Sequence, residues 1–336
     1  MLYFSKLRIL FITLFSFLFV LIASSNLFKF DDSFFDKKIN LGLDLQGGSY
    51  LLLEIDNDPV IEQKLQNLTT TVRNYFKEKD IKINNIKIEN QNIFFNASEE
   101  NKQSIIDTFT DENSDINPYY PRFKSHQLII EDTGLNFKLS FSKQGLIVLK
   151  TSSQDQAIEI VRRRIDEVGT NEPNILKRGN NRILVELPGL DDPMRVKSLL
   201  GKTANLTFRF VTNNENESFG VEKLKFEDGT DEAIVSKRII ISGDNLLDAQ
   251  PKMDTQTNQT IVSFSLDRVG AKRFGKATSN GIGKQLAIVL DGKILSAPVV
   301  RETIAGGSGQ ISGGFTFQSA TDLALLLRSG ALPAPL

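Results

Sequence analysis

The 336 residues contain no cysteine, no tryptophan and a single histidine, His126. Lack of cysteine excludes disulfides, thiolate metal sites and a thiol nucleophile. One imidazole without a companion gives neither a histidine zinc site nor the base of a catalytic triad, so His126 reads as a solvated strand-edge residue. No sign of charge is in excess either: 40 Lys and Arg against 41 Asp and Glu leave a formal charge of -1. That removes the global electrostatic reason to expect nucleic acid as a partner. Phenylalanine supplies most of the aromatic content, with 24 residues, and asparagine is abundant, so the Asn-x-Thr matches at Asn67 and Asn205 read as chance.

One long hydrophobic run is present. Ile9 to Phe28, "ILFITLFSFLFVLIASSNLF", is about 20 mostly apolar residues, enough to cross a bilayer core as a helix. Lys6 and Arg8 precede it, which predicts a cytoplasmic N-terminus and an exported remainder. The competing expectation is a secretory signal cleaved near "IASS", Ile22 to Ser25.

Beyond a charged connector at 29–40, strands alternate with helices. "GSYLLLEI", Gly48 to Ile55, predicts a strand, and Asp56-Asn57-Asp58-Pro59 opens a helix whose Ile61, Leu65, Leu68, Val72 and Phe76 form one stripe. Short strands at Ile86–Glu89 and Ile93–Phe95 precede a Ser98-capped helix through Phe109. Strands near Gln127–Glu131 and Asn136–Phe141 lead to a helix that is clear from Gln154 to Val168 and begins as early as Ser142, with Ile158, Val161, Ile165 and Val168 inward. Gly169 ends it. Then come "RILVEL", Arg182 to Leu187, a helix from Asp192-Pro193 to Gly201, and a strand within "ANLTFRFV", Ala204 to Val211. With a strand in front, this order is βαββαβ, so the expected class is α+β with a ferredoxin-like base.

From about Phe219 to Gly309 strands shorten and glycines multiply, which suggests an inserted lobe. Within it Asp291-Gly292 is a two-residue hairpin turn between apolar runs. The chain finishes with a Leu-rich helix capped by Ser319 or Thr321, ended by Gly330 and barred from continuing by Pro333 and Pro335.

Several motifs tempt a chemical reading. Gly201-Lys202-Thr203 resembles the end of a phosphate loop, but Val196 stands where its first glycine belongs, and the fragment follows a helix instead of opening one. "AGGSGQISGG", Ala305 to Gly314, lacks a strand-to-helix context and reads as a flexible crossing between lobes. The arginines of "VRRRID", Val161 to Asp166, fan around a helix and read as a solvated face. The pairs Asp31-Asp32 and Asp191-Asp192 are adjacent in sequence without the facing geometry of general acid and base. No nucleophile with its base emerges, so no catalytic, cofactor or metal residues are assigned.

Four stretches, "LGLDLQGGSYLLLEID" at 41–56, "RRRIDEVGTNEPNI" into "ILVELPGLDDP" at 162–193, "GKQLAIVLDGKILSAPVV" at 283–300 and "LALLLRSGALPAPL" at 323–336, together resemble the SecD family of protein-export subunits. The resemblance implies a cytoplasmic segment at 1–8, an inner-membrane span at 9–28, a periplasmic base at 41–214, a mobile head lobe at 215–309 and a return to the base at 310–336. Further membrane spans would follow. It also implies a non-enzymatic role in late, proton-motive-force-dependent export. The implied partners are SecF, the SecYEG channel, YajC, YidC and unfolded translocating polypeptides, the last contacted through the head. Gly42, Asp44, Gly47, Gly48, Pro188, Gly189, Asp291, Gly292, Arg328, Gly330 and Pro333 fall in the shared motifs, where they are expected to shape turns and joints. The reading from a different class is an anchored or secreted hydrolase using Asp44 with a distant carboxylate, or a periplasmic adaptor.

Overall fold

A computed structural model describes residues 5–24, 48–169, 173–188, 192–212, 220–229, 231–255 and 257–336. Helix α1 (Lys6–Ser24) exposes apolar side chains on every side, among them Leu10, Phe11, Phe15 and Phe19. Residues 25–28 of the expected span, and the connector 29–40, lie outside the described residues. Among those that are described, no helix is long and apolar enough to cross a membrane.

Strand β1 (Gly48–Glu54) is followed by α2 (Asp58–Glu78), with a proline in the helix's first turn. Its buried residues are Ile61, Leu65, Leu68, Val72 and Phe76, the stripe that the spacing predicts. The hairpin of β2 (Ile83–Glu89) and β3 (Asn92–Ala97) turns at Asn90-Gln91, whose φ values of 49° and 58° match the right-handed twist of the strands. Helix α3 (Lys102–Thr110) is entered through a 3-10 turn at Glu99–Asn101. Ser98 therefore makes no cap bond to the helix, and its hydroxyl accepts from the Asn101 side chain instead.

The short pair β4 (Tyr119–Tyr120) and β5 (Ser125–His126) precedes β6 (Leu128–Asp132) and β7 (Asn136–Phe141). Strands β2-β3-β7-β6 form one sheet. Phe76, Phe95, Phe109 and Phe137 fill the core between this sheet and α2 and α3, with Phe95 and Phe137 stacked at 5.2 Å. Buried Asn117 closes the loop before β6, donating to the Phe109 and Leu128 carbonyls and accepting from the Leu128 amide. Residues 58–141 thus own a core, so the single base expected at 41–214 divides into a base and an inserted unit. Local periodicity cannot reveal that division, because it reports which residues are buried and not against which partners.

Helix α4 (Lys143–Val168) is capped by Ser142, which accepts from the Gly145 amide, and ends at Gly169 in the left-handed region, φ 80°. Leu146 and Leu149 pack into the inserted unit, whereas Ala157, Ile158, Val161 and Ile165 pack into the base. There β8 (Asn174–Arg178) and β9 (Arg182–Pro188) join β1 in the order β1-β9-β8, antiparallel throughout. Fully buried Ile183, Val185 and Leu187 face α4 and α5 (Pro193–Gly201), which is capped by Asp192.

Strand β10 (Leu206–Phe210) does not enter this sheet, and the ferredoxin-like order does not close. It pairs instead with β13 (Ile241–Ser242) and β16 (Leu286–Leu290) in the head, because Leu206 and Phe208 find their apolar partners there. The head adds the hairpin β11 (Val221–Lys225) and β12 (Glu232–Ser236), then β14 (Leu246–Met253), β15 (Thr260–Leu266), α6 (Arg268–Asn280), β17 (Lys293–Ser296), β18 (Ser308–Phe315) and α7 (Phe317–Ser329). Sheets β13-β10-β16-β17 and β14-β15-β18 enclose Phe208, Phe264 and Phe274, whose rings lie 5.4 to 6.4 Å apart.

Two expectations fail in this region. The glycine-rich segment is not a crossing between lobes, since most of it is strand β18, and the expected lobe boundary at Gly309 falls inside it. Its glycines answer to packing: a Cβ on Gly309 would lie 2.4 Å from the buried Phe264 ring. Helix α7 is capped by Thr316, which accepts from the Ser319 amide, so neither Ser319 nor Thr321 is the cap. Gly309→Ala is expected to cost about 1–3 kcal/mol in urea denaturation through overpacking. Gly306→Ala, with open space around its new methyl, is expected to stay within about 0.5 kcal/mol of the parent.

Candidate functional site

The three units meet at a joint built from main-chain carbonyls, one buried cation and the C-terminal segment. Arg164 lies on the apolar stripe of α4 and is fully buried. Its Nη1 donates to the carbonyls of Leu199, Leu200 and Lys202 at 2.8, 3.2 and 2.5 Å, and its Nη2 to those of Thr203 and Gly330 at 3.4 and 3.2 Å. Leu199 and Leu200 lie in the last turn of α5, where helical carbonyls lack amide partners and the dipole favours a cation. Burial lowers the Arg164 pKa to about 10, opposed by the attraction of Asp291, so the group remains charged at neutral pH. The sequence reading treats this arginine triplet as a solvated face. Arg162 and Arg163 are exposed, but position 164 shares a side with Ala157, Val161 and Val168, which is the signal that locates it.

Asp291 and Gly292 form the expected turn between β16 and β17, with φ values of 49° and 78°. The Asp291 carboxylate then reaches the segment that joins base to head, accepting from the Thr203 hydroxyl and from the amides of Ala204 and Asn205 at 2.5, 3.1 and 2.8 Å. It holds Ala204, buried and at φ 59°, in a conformation that an alanine adopts only at a cost. Gly201-Lys202-Thr203 therefore serves as a joint. Gly201 is the last helical residue, and the cap position is Lys202 in extended conformation.

Arg328 ties base to head. Its guanidinium grips Glu167 of α4 through both carboxylate oxygens and donates to the Ala249 carbonyl of β14 at 2.8 Å. The hydrogen bond with Glu167 raises the Arg328 pKa. Gly330 ends α7, after which the Leu332 amide donates to the Thr203 carbonyl. The Pro335 carbonyl accepts from the Asp56 amide at the start of the inserted unit. Pro333 is half-buried between these two anchors.

At the far end of the base sheet, Gly48 is registered against Pro188, which brings two of the sequence motifs side by side. Gly42, Asp44, Gly47 and Gly189 lie outside the described residues. His126 is half-buried beside Tyr119, its Nε2 3.2 Å from the Asp111 carbonyl. Among the described residues no group of three His, Asp or Glu side chains could hold a metal. The arrangement positions units relative to one another.

Arg164→Met keeps the bulk but strands several buried carbonyls, and is expected to destabilise the chain by about 3 kcal/mol in urea denaturation. Proteolysis should then quicken at 202–205. Arg164→Lys retains charge with fewer donors and should recover part of the loss.

Comparison with known proteins adds an independent line. The family descriptions "SecD/SecF GG Motif", "Protein translocase subunit SecDF, P1 domain, N-terminal" and "SecDF, P1 head subdomain" match residues 33–59, 154–213 and 221–334 in turn. The first two flank the inserted unit. Protein translocase subunit SecD of Rickettsia bellii is 41% identical over 305 residues, covering 89% of this chain and 57% of that protein. The Acetobacter pasteurianus counterpart is 38% identical, with 89% and 58% covered. A solved SecDF, described as a membrane component that enhances protein export, is 34% identical over 55% of this chain and 90% of its own, with a TM-score of 0.47. The chain spans a little more than half the length of the curated relatives it matches. With matches in this order from the Gly-Gly motif to the head, the chain belongs to the SecD family.

Proposed function

We propose that this chain is an accessory subunit of the Sec export machinery, anchored by the apolar run at 9–28 with Lys6 and Arg8 on the cytoplasmic side and its bulk in the periplasm. In this reading it works with SecF beside the SecYEG channel, with YajC and YidC as neighbours, and contacts unfolded polypeptides as they emerge. It catalyses no reaction. Its contribution is mechanical: the head holds the emerging chain and moves on the base, so that backsliding is prevented and late export draws on the proton-motive force.

The observation that carries the proposal is the joint. Head and base own separate cores, and contacts between them include the 202–205 segment, the Asp291 bracket and the Arg328–Glu167 clamp. Turning one body on the other without unfolding either would exchange these hydrogen bonds and re-sort the small apolar contact of Leu199 and Ala204 with Leu325 and Leu326. Backbone and apolar contacts would suit a binder that must accept many sequences.

Photo-crosslinking amino acids at Lys293 and at exposed Val299, within the 290–300 hairpin region, are expected to capture a stalled secretory polypeptide. Export that proceeds without adducts at these sites would remove the chain-contact role. Motion is tested separately. Because the chain has no native cysteine, Glu167→Cys with Arg328→Cys can be bridged by a bismaleimide of matching length. Late export by the bridged protein should be slower than by the same double variant left unbridged; equal export in both would argue against head movement.

A further inference from the structure

The head carries a second feature that the joint does not use. A groove of about 560 Å³ runs between α6 and the segment that leaves β12. Its floor is the Phe210 ring with Ile240; its walls carry Arg238, Ile239, Arg273 and Lys276. Gly281 keeps that floor in place, since a Cβ there would lie 2.3 Å from the ring. Lys284, outside the lining, holds its Nζ 5.9 Å from the Phe210 centroid.

The charge of this groove is unbalanced in a chain whose net charge is -1. Helix α6 contains Arg268, Lys272, Arg273 and Lys276 and no acidic residue. Among the described residues, none of Arg238, Arg273, Lys276 and Lys284 has a side-chain nitrogen within 4.0 Å of a carboxylate. Asp267, the acid that feels Arg273, is committed to capping α6, where it accepts from the Gly270 amide. Arg209, next to the floor, is already paired with Glu222.

We propose that this groove binds acidic segments of an extended polypeptide, with carboxylates on Arg238, Arg273 and Lys276 and an apolar or aromatic side chain on the Phe210 floor. The inference rests on the chain-contact reading above and adds a sequence preference to it. Shape selects the occupant. The half-buried Phe210 ring and Ile240 lie among these cations, a recess that a single extended chain can enter. Basic segments are rejected by like charge, which costs more than the apolar contact returns.

The test measures fluorescence anisotropy of labelled peptides on the full chain in a nonionic detergent. One unfolded peptide alternates Glu with Leu and Phe; the others replace every Glu by Lys or by Ser. The acidic peptide is expected to bind roughly tenfold or more tightly than the Lys peptide at low salt, with the gap closing as ionic strength rises. Combined Arg238→Ser, Arg273→Ser and Lys276→Ser should weaken the acidic peptide by about tenfold and leave the Ser peptide unchanged. Arg238→Lys with Arg273→Lys should keep the preference. Equal affinities, or a preference that survives the triple Ser variant, would overturn the inference. So would charge-dependent binding of phosphatidylglycerol vesicles without binding of the acidic peptide, which would make the groove a lipid site. Equal affinities with adducts at Lys293 or Val299 would sink the preference alone; no peptide binding and no adducts would sink the chain-contact reading as well.

Discussion

The guanidinium of Arg164 is held by five main-chain carbonyls drawn from the end of α5, the linker that follows it and the residue that ends α7. Among the described residues, no carboxylate is a hydrogen-bond partner of this guanidinium. A cation taken out of water at this depth needs most of its donors used; here both Nη groups are bonded while the buried Nε has no partner, and carbonyl dipoles at a helix C-terminus suit the charge. The arrangement makes base, linker and C-terminal segment mutually dependent. The carbonyls would lack partners without the arginine, and the arginine would be an unpaired buried charge without the carbonyls.

Around that contact α4 acts as a beam. Its 26 residues span about 39 Å, with the first turns in the core of the inserted unit and the middle in the core of the base. Glu167 near its end holds Arg328 of the head. Close packing at its start is enforced by Gly145, where a Cβ would collide with the Gln127 carbonyl at 2.2 Å. Gln154, buried in mid-helix, donates to the Gly179 and Arg182 carbonyls and so pins the beam to the β8–β9 hairpin. The beam is shared by two cores and clamped at its end to the head.

The same residues show what kind of information a sequence carries. The α2 stripe, the Asp291-Gly292 turn, the Gly169 and Gly330 stops and the 142–168 helix were legible because each depends on neighbours a few positions away, through side-chain periodicity or a demand for positive φ. Of the joint, Asp291, Arg328 and Gly330 could be singled out as motif residues, and their work could not. Asp291 reads as a turn residue; that its carboxylate spans 86 to 88 positions to hold the linker is a matter of where β16 comes to lie.

By itself, then, the sequence determined the elements, an α+β chain behind an apolar N-terminal helix, and the absence of thiol and imidazole chemistry. Only the tertiary structure decided that β10 pairs with the head, that residues 58–141 form a unit of their own, that the glycine run is a strand packed on Phe264, and that one of three adjacent arginines is buried. The physical reason is common to all four. Strand partners and the burial of charge are set by groups distant in sequence, as the 166 positions between Arg164 and Gly330 show, and no local pattern of spacing encodes which distant groups will meet.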